Sequence, residues 1–206
     1  RIYIASGLHP EFGELSRGRL ICLDPTRQGD ISSELAVDAA GHVIPHRRIQ
    51  AVDVARGEKV IPNPNSGQIW EFTLDNDGNE HTDLMHGTMS NVAVHKGLAI
   101  ALDHWGAVHC LDAKTGKLHW SYDALAPIYG SPLIVDDKVF VVDHEGDVMV
   151  FNLSHDPQIA MRRRDGAFEP FSQMAMGNAV DCSPIFANGV LYLAGQNELF
   201  AIAADR

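Results

Sequence analysis

The sequence predicts an all-β fold built of four-stranded antiparallel sheets, and three observations carry that prediction. A strand-like segment recurs as Ser90-Asn91-Val92-Ala93-Val94, Ser131-Pro132-Leu133-Ile134-Val135 and Ser183-Pro184-Ile185-Phe186-Ala187, each followed by a polar turn and a second apolar run. The tetrads Asp103-His104-Trp105-Gly106 and Asp143-His144-Glu145-Gly146 stand 40 residues apart and close two of those second runs. β-branched residues dominate the runs, while Gly, Asp and Pro cut them short of three helical turns. Four strands in about 40 residues is the period of a propeller blade. The expected architecture is therefore a β-propeller of about four blades, itself part of a larger ring.

The elements follow in chain order. Arg1 to Ser6 reads as a second strand, Leu8 to Arg17 as an enlarged loop, and Arg19 to Leu23 as a third strand running into Cys22-Leu23-Asp24. A long insertion, 25–67, precedes a fourth strand at Gln68-Ile69-Trp70-Glu71-Phe72, and a loop of that length carries structure of its own or a function. Within it, Val52 to Gly57 reads as a small turn and Pro62-Asn63-Pro64-Asn65-Ser66 as strong turn punctuation. The second copy has later strands at Leu98 to Leu102, Val108 to Leu111 and from Leu118. The third has them at Val139 to Val142, Val148 to Leu153 and from near Ile159, and the last at Val190 to Ala194 and Leu199 to Ile202. A smaller insertion, Asp165 to Gly177, separates the third copy from the last. One domain, 1–206, thus holds blades at roughly 1–74, 88–123, 129–164 and 180–206. The first lacks its innermost strand and the last its outermost, so the chain reads as a piece of something longer. Consecutive apolar positions, rather than strict alternation, fit sheets covered on both faces.

The clearest unit is Val108 to Trp120. Asp112 and Thr115 can accept from the backbone of a hairpin turn, and Gly116 supplies a positive φ. Trp120 brings a large apolar surface that a neighbouring copy buries most economically.

Composition excludes several classes of partner. With 16 basic against 27 acidic residues and a net charge of −11, the chain offers neither a nucleic-acid surface nor one for an anionic membrane. Arg162-Arg163-Arg164 reads as a charged strand edge. No run approaches the length of a membrane span. Cys22, Cys110 and Cys182 form no C-x-x-C pair, and the first two read as equivalent small core residues.

The run Cys110-Leu111-Asp112-Ala113-Lys114-Thr115-Gly116-Lys117-Leu118-His119-Trp120 resembles the repeat signature of pyrroloquinoline-quinone-like β-propellers, with Cys110 in place of the usual Ala. Ser131 to Val135 and Asp137 to Val141 resemble that family's first two strands. Gly29-Asp30-Ile31-Ser32, Pro62 to Ser66 and Leu199 to Asp205 are similar to exported repeat proteins of planctomycete-type bacteria. The resemblance implies a structural clasp between blades at Asp112, Thr115, Gly116 and Trp120, with Trp70 in the equivalent place. It implies a periplasmic or otherwise extracytoplasmic location and a non-catalytic binding or scaffold role. The alternative is a quinoprotein oxidoreductase. Only that alternative calls for a cofactor, pyrroloquinoline quinone with calcium, and no adjacent cysteine pair, ligand set or catalytic base matches it.

Catalytic and metal residues are expected to be absent. His104 and His144 occupy equivalent loop positions, without zinc-ligand spacing, and read as helping to cap the Asp-x-x-Gly turn. The connections into the innermost strands line the mouth of a propeller's channel, and they contribute His86, Thr88, Tyr129 and Asp181 as a candidate site for a protein or small-molecule ligand. The remaining blades of the same ring are the other expected partner. If those blades are needed, the isolated 206-residue chain should self-associate through open strand edges. Size-exclusion chromatography with light scattering should then show oligomers, and a monodisperse monomer with a cooperative melt would contradict the expectation.

Overall fold

The computed structural model describes residues 1–7, 18–73 and 85–203. The loop expected over Leu8 to Arg17 and the final Ala204-Asp205 lie outside the described residues. The chain divides into two compact units, Arg1–Ile2 with Ile21–Trp70, and Tyr3–Leu20 with Glu71–Arg206. Strands β1 (Ile2–Gly7), β2 (Gly18–Leu23) and β5 (Gln68–Thr73) form a three-stranded sheet in the order β1-β2-β5.

In the first unit the insertion has structure of its own. Strands β3 (Glu34–Val37) and β4 (Lys59–Pro62) pair antiparallel from Glu34↔Pro62 to Val37↔Lys59. The punctuated Pro62 to Ser66 segment turns around Asn63, whose buried side-chain amide donates to the carbonyls of Asp30 (2.9 Å) and Ser32 (2.8 Å). A 3-10 turn at Val54–Arg56 is capped by Asp53, which accepts from the Ala55 amide, and ends at Gly57 with φ +76°.

The second unit is a succession of antiparallel sheets. Strands β6 (Ala93–His95), β7 (Leu98–Leu102), β8 (Ala107–Asp112) and β9 (Leu118–Asp123) pair in sequence order, with a register shift between Cys110 and Leu111. Strands β10 (Leu133–Val135), β11 (Lys138–Val142) and β12 (Asp147–Asn152) repeat the pattern. So do β16 (Ile185–Ala187), β17 (Val190–Ala194) and β18 (Leu199–Ala203) in a three-stranded sheet.

The third sheet corrects one expectation. Where the sequence suggested a fourth strand near Ile159, the chain makes a one-turn helix α1 (Pro157–Ala160), because Pro157 suits the first helical position and Asp156 caps it by accepting from the Gln158 amide at 2.9 Å. Strands β13 (Met161–Arg164) and β14 (Ala167–Pro170) then form a separate hairpin, closed by Asp165 (φ +50°) and Gly166 (φ +89°). Those two positive angles are what an Asp-Gly hairpin turn supplies. The fourth strand is β15 (Ser172–Ala175), paired with β12 from Val150↔Ser172 to Asp147↔Ala175. Arg162 in β13 pairs with Glu169 across the hairpin.

The core lies between sheets. Ile100, Leu102, Val108, Cys110 and Trp120 of one sheet share a buried cluster with Val139, Val141, Met149 and Phe151 of the next, and Val142 and Val148 continue it toward Val180, Leu191 and Leu193. Serines at the starts of the inner strands connect the copies: Ser90 Oγ donates to the Gly130 carbonyl (2.6 Å), the Asn91 amide donates to Ser131 Oγ (2.9 Å), and the Ser131 amide donates to Ser183 Oγ (2.8 Å). Two glycines let the connection after each four-stranded sheet come close to its turn. Gly106 (φ +103°) and Gly146 (φ +88°) accept from the amides of Ala124 and Met176, both at 2.9 Å. A Cβ at these positions would sit 2.5 Å from the Ala126 carbonyl oxygen and 2.1 Å from that of Asn178.

Gly146→Ala should therefore lower stability by more than the about 1–3 kcal/mol that a left-handed backbone alone costs a side chain. Gly97→Ala, at φ +79° with nothing within 4 Å, should show only the conformational part. Denaturant midpoints of the two variants provide the comparison.

Candidate functional site

The expected site residues do not form one group. His86 lies with Asp103. Thr88 is buried: its hydroxyl donates to the Leu102 carbonyl at 2.6 Å and accepts from the Ser90 amide at 3.0 Å. The Tyr129 ring stands edge-on between His104 (4.9 Å between ring centres) and His144 (5.3 Å). Asp181 accepts from His144 Nδ1 at 2.6 Å and from Gln196 Nε2 at 3.4 Å. Tyr129 and Asp181 thus meet at His144.

Asp103 and Asp143 head the tight turns between second and third strands. In each, a carboxylate oxygen accepts from the amide four residues on, Ala107 or Asp147, at 2.9 Å. These aspartates are the side chains that close the turns. The amides of His104 and His144 donate to the Gly87 and Pro127 carbonyls at 2.8 Å, and their rings flank Tyr129.

The two turns differ in their surroundings. Asp103 is fully buried, and its Oδ2 faces His86 Nδ1 (2.9 Å), the His86 amide (3.1 Å) and His109 Nε2 (3.5 Å). His109 is also fully buried, with Nδ1 2.8 Å from Ser121 Oγ and its ring edge-on to Phe72. His86 is about a quarter exposed and stacks on Trp105, with ring centres 5.3 Å apart. Burial by itself would raise the Asp103 pKa. The His109 imidazole 3.5 Å away and the hydrogen bonds from His86 outweigh it and hold the carboxyl well below the usual range. Asp143 lacks such donors, and burial pushes its pKa up. Nothing in the local sequence marks His109 or Ser121 as members of this cluster, since both sit in ordinary strand positions. Only the pairing of β8 with β9 brings them together.

The clasp residues are laid out compactly. Asp112 Oδ1 accepts from the amides of Lys114 (2.9 Å) and Thr115 (2.7 Å) and from the Thr115 hydroxyl (2.8 Å), while Gly116 takes φ +75°. The hydroxyl and amides of Thr115 and Lys114 keep the Asp112 carboxyl in its ionised form, below its ordinary pKa. Trp120 is buried, stacks on Phe151 of the next sheet and donates its indole N–H to the Ser154 carbonyl at 2.8 Å. Asp24 repeats the motif in the first copy, accepting from the Thr26 amide and hydroxyl at 2.9 and 2.7 Å, and Trp70 is buried.

Residues 46–205 match the family model described as outer membrane protein assembly factor BamB. The chain belongs to that family. Its repeats are pyrroloquinoline-quinone-like and its fold is a β-propeller of four-stranded antiparallel blades. No curated protein sequence matches this BamB-family chain significantly. Similar solved structures include BamB from Moraxella catarrhalis, at 15% identity over 70% of this chain and 39% of that one, with TM-score 0.47. They also include a europium-containing methanol dehydrogenase, at 20% identity over 73% of this chain and 21% of that one (TM-score 0.39). A third is the quinohemoprotein alcohol dehydrogenase from Comamonas testosteroni, at 15% identity over 54% of this chain and 18% of that one (TM-score 0.41). The BamB-family chain thus spans well under half the length of each. Among the described residues, no three His, Cys, Asp or Glu side chains are grouped to hold a metal ion, and Cys22 and Cys110 are buried apart from exposed Cys182. No helix among the described residues is long and apolar enough to cross a membrane.

The sign of each aspartate's pH effect follows from its shift. Asp103, lowered from 3.8, contributes stability that is present above that value and lost as pH falls through the folded pKa. Asp143, raised from 3.8, does the reverse: its ionised form opposes folding above the folded pKa. Asp103→Asn should therefore cost about 1.5–3 kcal/mol near neutral pH, the usual range for hydrogen bonds to a charged group. Asp143→Asn should cost less, and the gap should narrow as pH falls below about 4. Urea titrations of both variants across that range provide the measurement.

Proposed function

We propose that the chain is a non-catalytic binding or scaffold module, part of a larger β-propeller working in the periplasm or another extracytoplasmic space. The observation that carries this reading is the match of residues 46–205 to a family described as an outer membrane protein assembly factor. The remaining blades of the same ring are one partner. Support comes from β18, whose Leu199 is 69% exposed and which pairs on one side only among the described residues. The other partner, a protein or small molecule, binds at the channel mouth around His86, Tyr129 and Asp181. Exposed Met89 and Trp105 add the residue types that interfaces favour. Asp112, Thr115, Gly116 and Trp120, with Trp70, serve as the clasp between blades.

The pyrroloquinoline-quinone-like repeats keep a quinoprotein oxidoreductase as the second reading. The two readings separate in one experiment. The full-length protein, given Ca²⁺ and pyrroloquinoline quinone, should acquire no quinone absorption and should not reduce an artificial electron acceptor in the presence of alcohols. A bound chromophore with turnover would replace the scaffold reading with the oxidoreductase one.

A further inference from the structure

The repeat contains its own control for the His86 cluster. Asp103 and Asp143 occupy the same turn, close the same backbone bonds and precede equivalent glycines, Gly106 and Gly146. At the third residue after the glycine one copy has His109 and the other Met149. At the residue preceding the carbonyl that receives the His104 or His144 amide, one has His86 and the other Ala126. Opposite His109 stands Ser121, and opposite Met149 stands Gln173. Alanine and methionine therefore suffice for the turn and the sheet. Both copies bury the aspartate, Asp103 or Asp143, but only the second sets a fully buried histidine, His109, beside it, a desolvation that the turn and the sheet do not require.

The hydrogen bonds determine what this arrangement presents. Asp103 Oδ1 accepts from the Trp105 (3.0 Å) and Ala107 (2.9 Å) amides. Oδ2 accepts from the His86 amide and lies 2.9 Å from His86 Nδ1. An ionised carboxylate only accepts, so His86 Nδ1 carries a proton, which leaves Nε2 as the nitrogen that an uncharged ring offers as acceptor. His109, anchored at Ser121 Oγ, points its Nε2 at the same carboxylate oxygen and restrains it. Trp105, 54% exposed, lies against the imidazole as an open apolar platform.

We propose that His86 is a ligand-binding residue, its Nε2 accepting the hydrogen bond of a small neutral hydroxyl-bearing molecule seated against Trp105, with Asp103 as the positioning residue. This rests on reading the face around His86 as a ligand-facing one, but its test needs no partner. The probe is diethyl pyrocarbonate, a small electrophile that acylates an unprotonated imidazole nitrogen, applied to the full chain and read by peptide mass spectrometry. Nitrogen-15 NMR reports the tautomer. His86 should be the Nδ1–H tautomer and should react faster than His95 on β6. Asp103→Asn should slow that reaction by about tenfold or more, as loss of an orienting carboxylate does elsewhere. The double variant His86→Ala with His109→Met copies the neighbouring sheet and should stay folded with a cooperative melt, losing no more stability near neutral pH than Asp103→Asn does. An Nε2–H tautomer, a His86 protected from the reagent, or an Asp103→Asn chain reacting at the parent rate would overturn the proposal. Collapse of the double variant would also overturn it, by making the histidines part of the scaffold. None of these outcomes depends on whether the chain binds a protein or a quinone, so the scaffold reading stands or falls separately.

Discussion

The turn between second and third strands is the constraint on which the rest depends. A buried carboxylate at its head, Asp103 or Asp143, gathers the turn amides. The glycine that ends it lets the following connection come within a carbonyl's reach of the backbone. Neither part works alone. Without the carboxylate, buried amides lose their acceptor, and with any side chain at the glycine the neighbouring sheet is pushed away. Apolar packing between sheets then follows, since Leu102 with Val108 and Val142 with Val148 flank these turns.

Much of this was legible in the sequence. The recurring Ser-led strands, the paired tetrads and the Asp-x-x-Thr-Gly-x-x-x-Trp unit report local backbone chemistry, and local chemistry repeats visibly. The third copy's last strand was not legible. Asp156-Pro157 opens a helix turn and Asp165-Gly166 closes a private hairpin, so the true partner of β12 lies beyond an intervening pair of strands. Apolar content alone does not distinguish Met161 from Ser172 as the start of an edge strand. The Asp165-Gly166 dipeptide was the available signal.

The candidate site was legible only in part, for a related reason. His86, Tyr129 and Asp181 stand out because they precede the inner strands. Their partners belong to other elements. Asp103 lies 17 residues from His86 and Asp181 lies 37 from His144, distances over which sequence spacing says nothing about contact. Thr88 resembled its neighbours in polarity and position, yet its buried hydroxyl donates to the Leu102 carbonyl, a backbone role that spacing does not reveal. Equivalent aspartates with opposite shifts make the same point energetically: environment, not residue type, decides whether a carboxylate strengthens or weakens the fold.

Both insertions enter the repeat at one step, between its third and fourth strands: β3 and β4 between β2 and β5, and α1 with the β13–β14 hairpin between β12 and β15. In the second copy the same step is the short turn from Ala113 to Lys117. The serine links and the Gly106 and Gly146 approaches all lie at other steps. Segments of very different length have been accommodated there, yet the step is not idle: in the third copy its Ser154 carbonyl receives the Trp120 indole N–H and its Ala160 and Met161 join the shared core, so an inserted segment also becomes part of what one copy packs against.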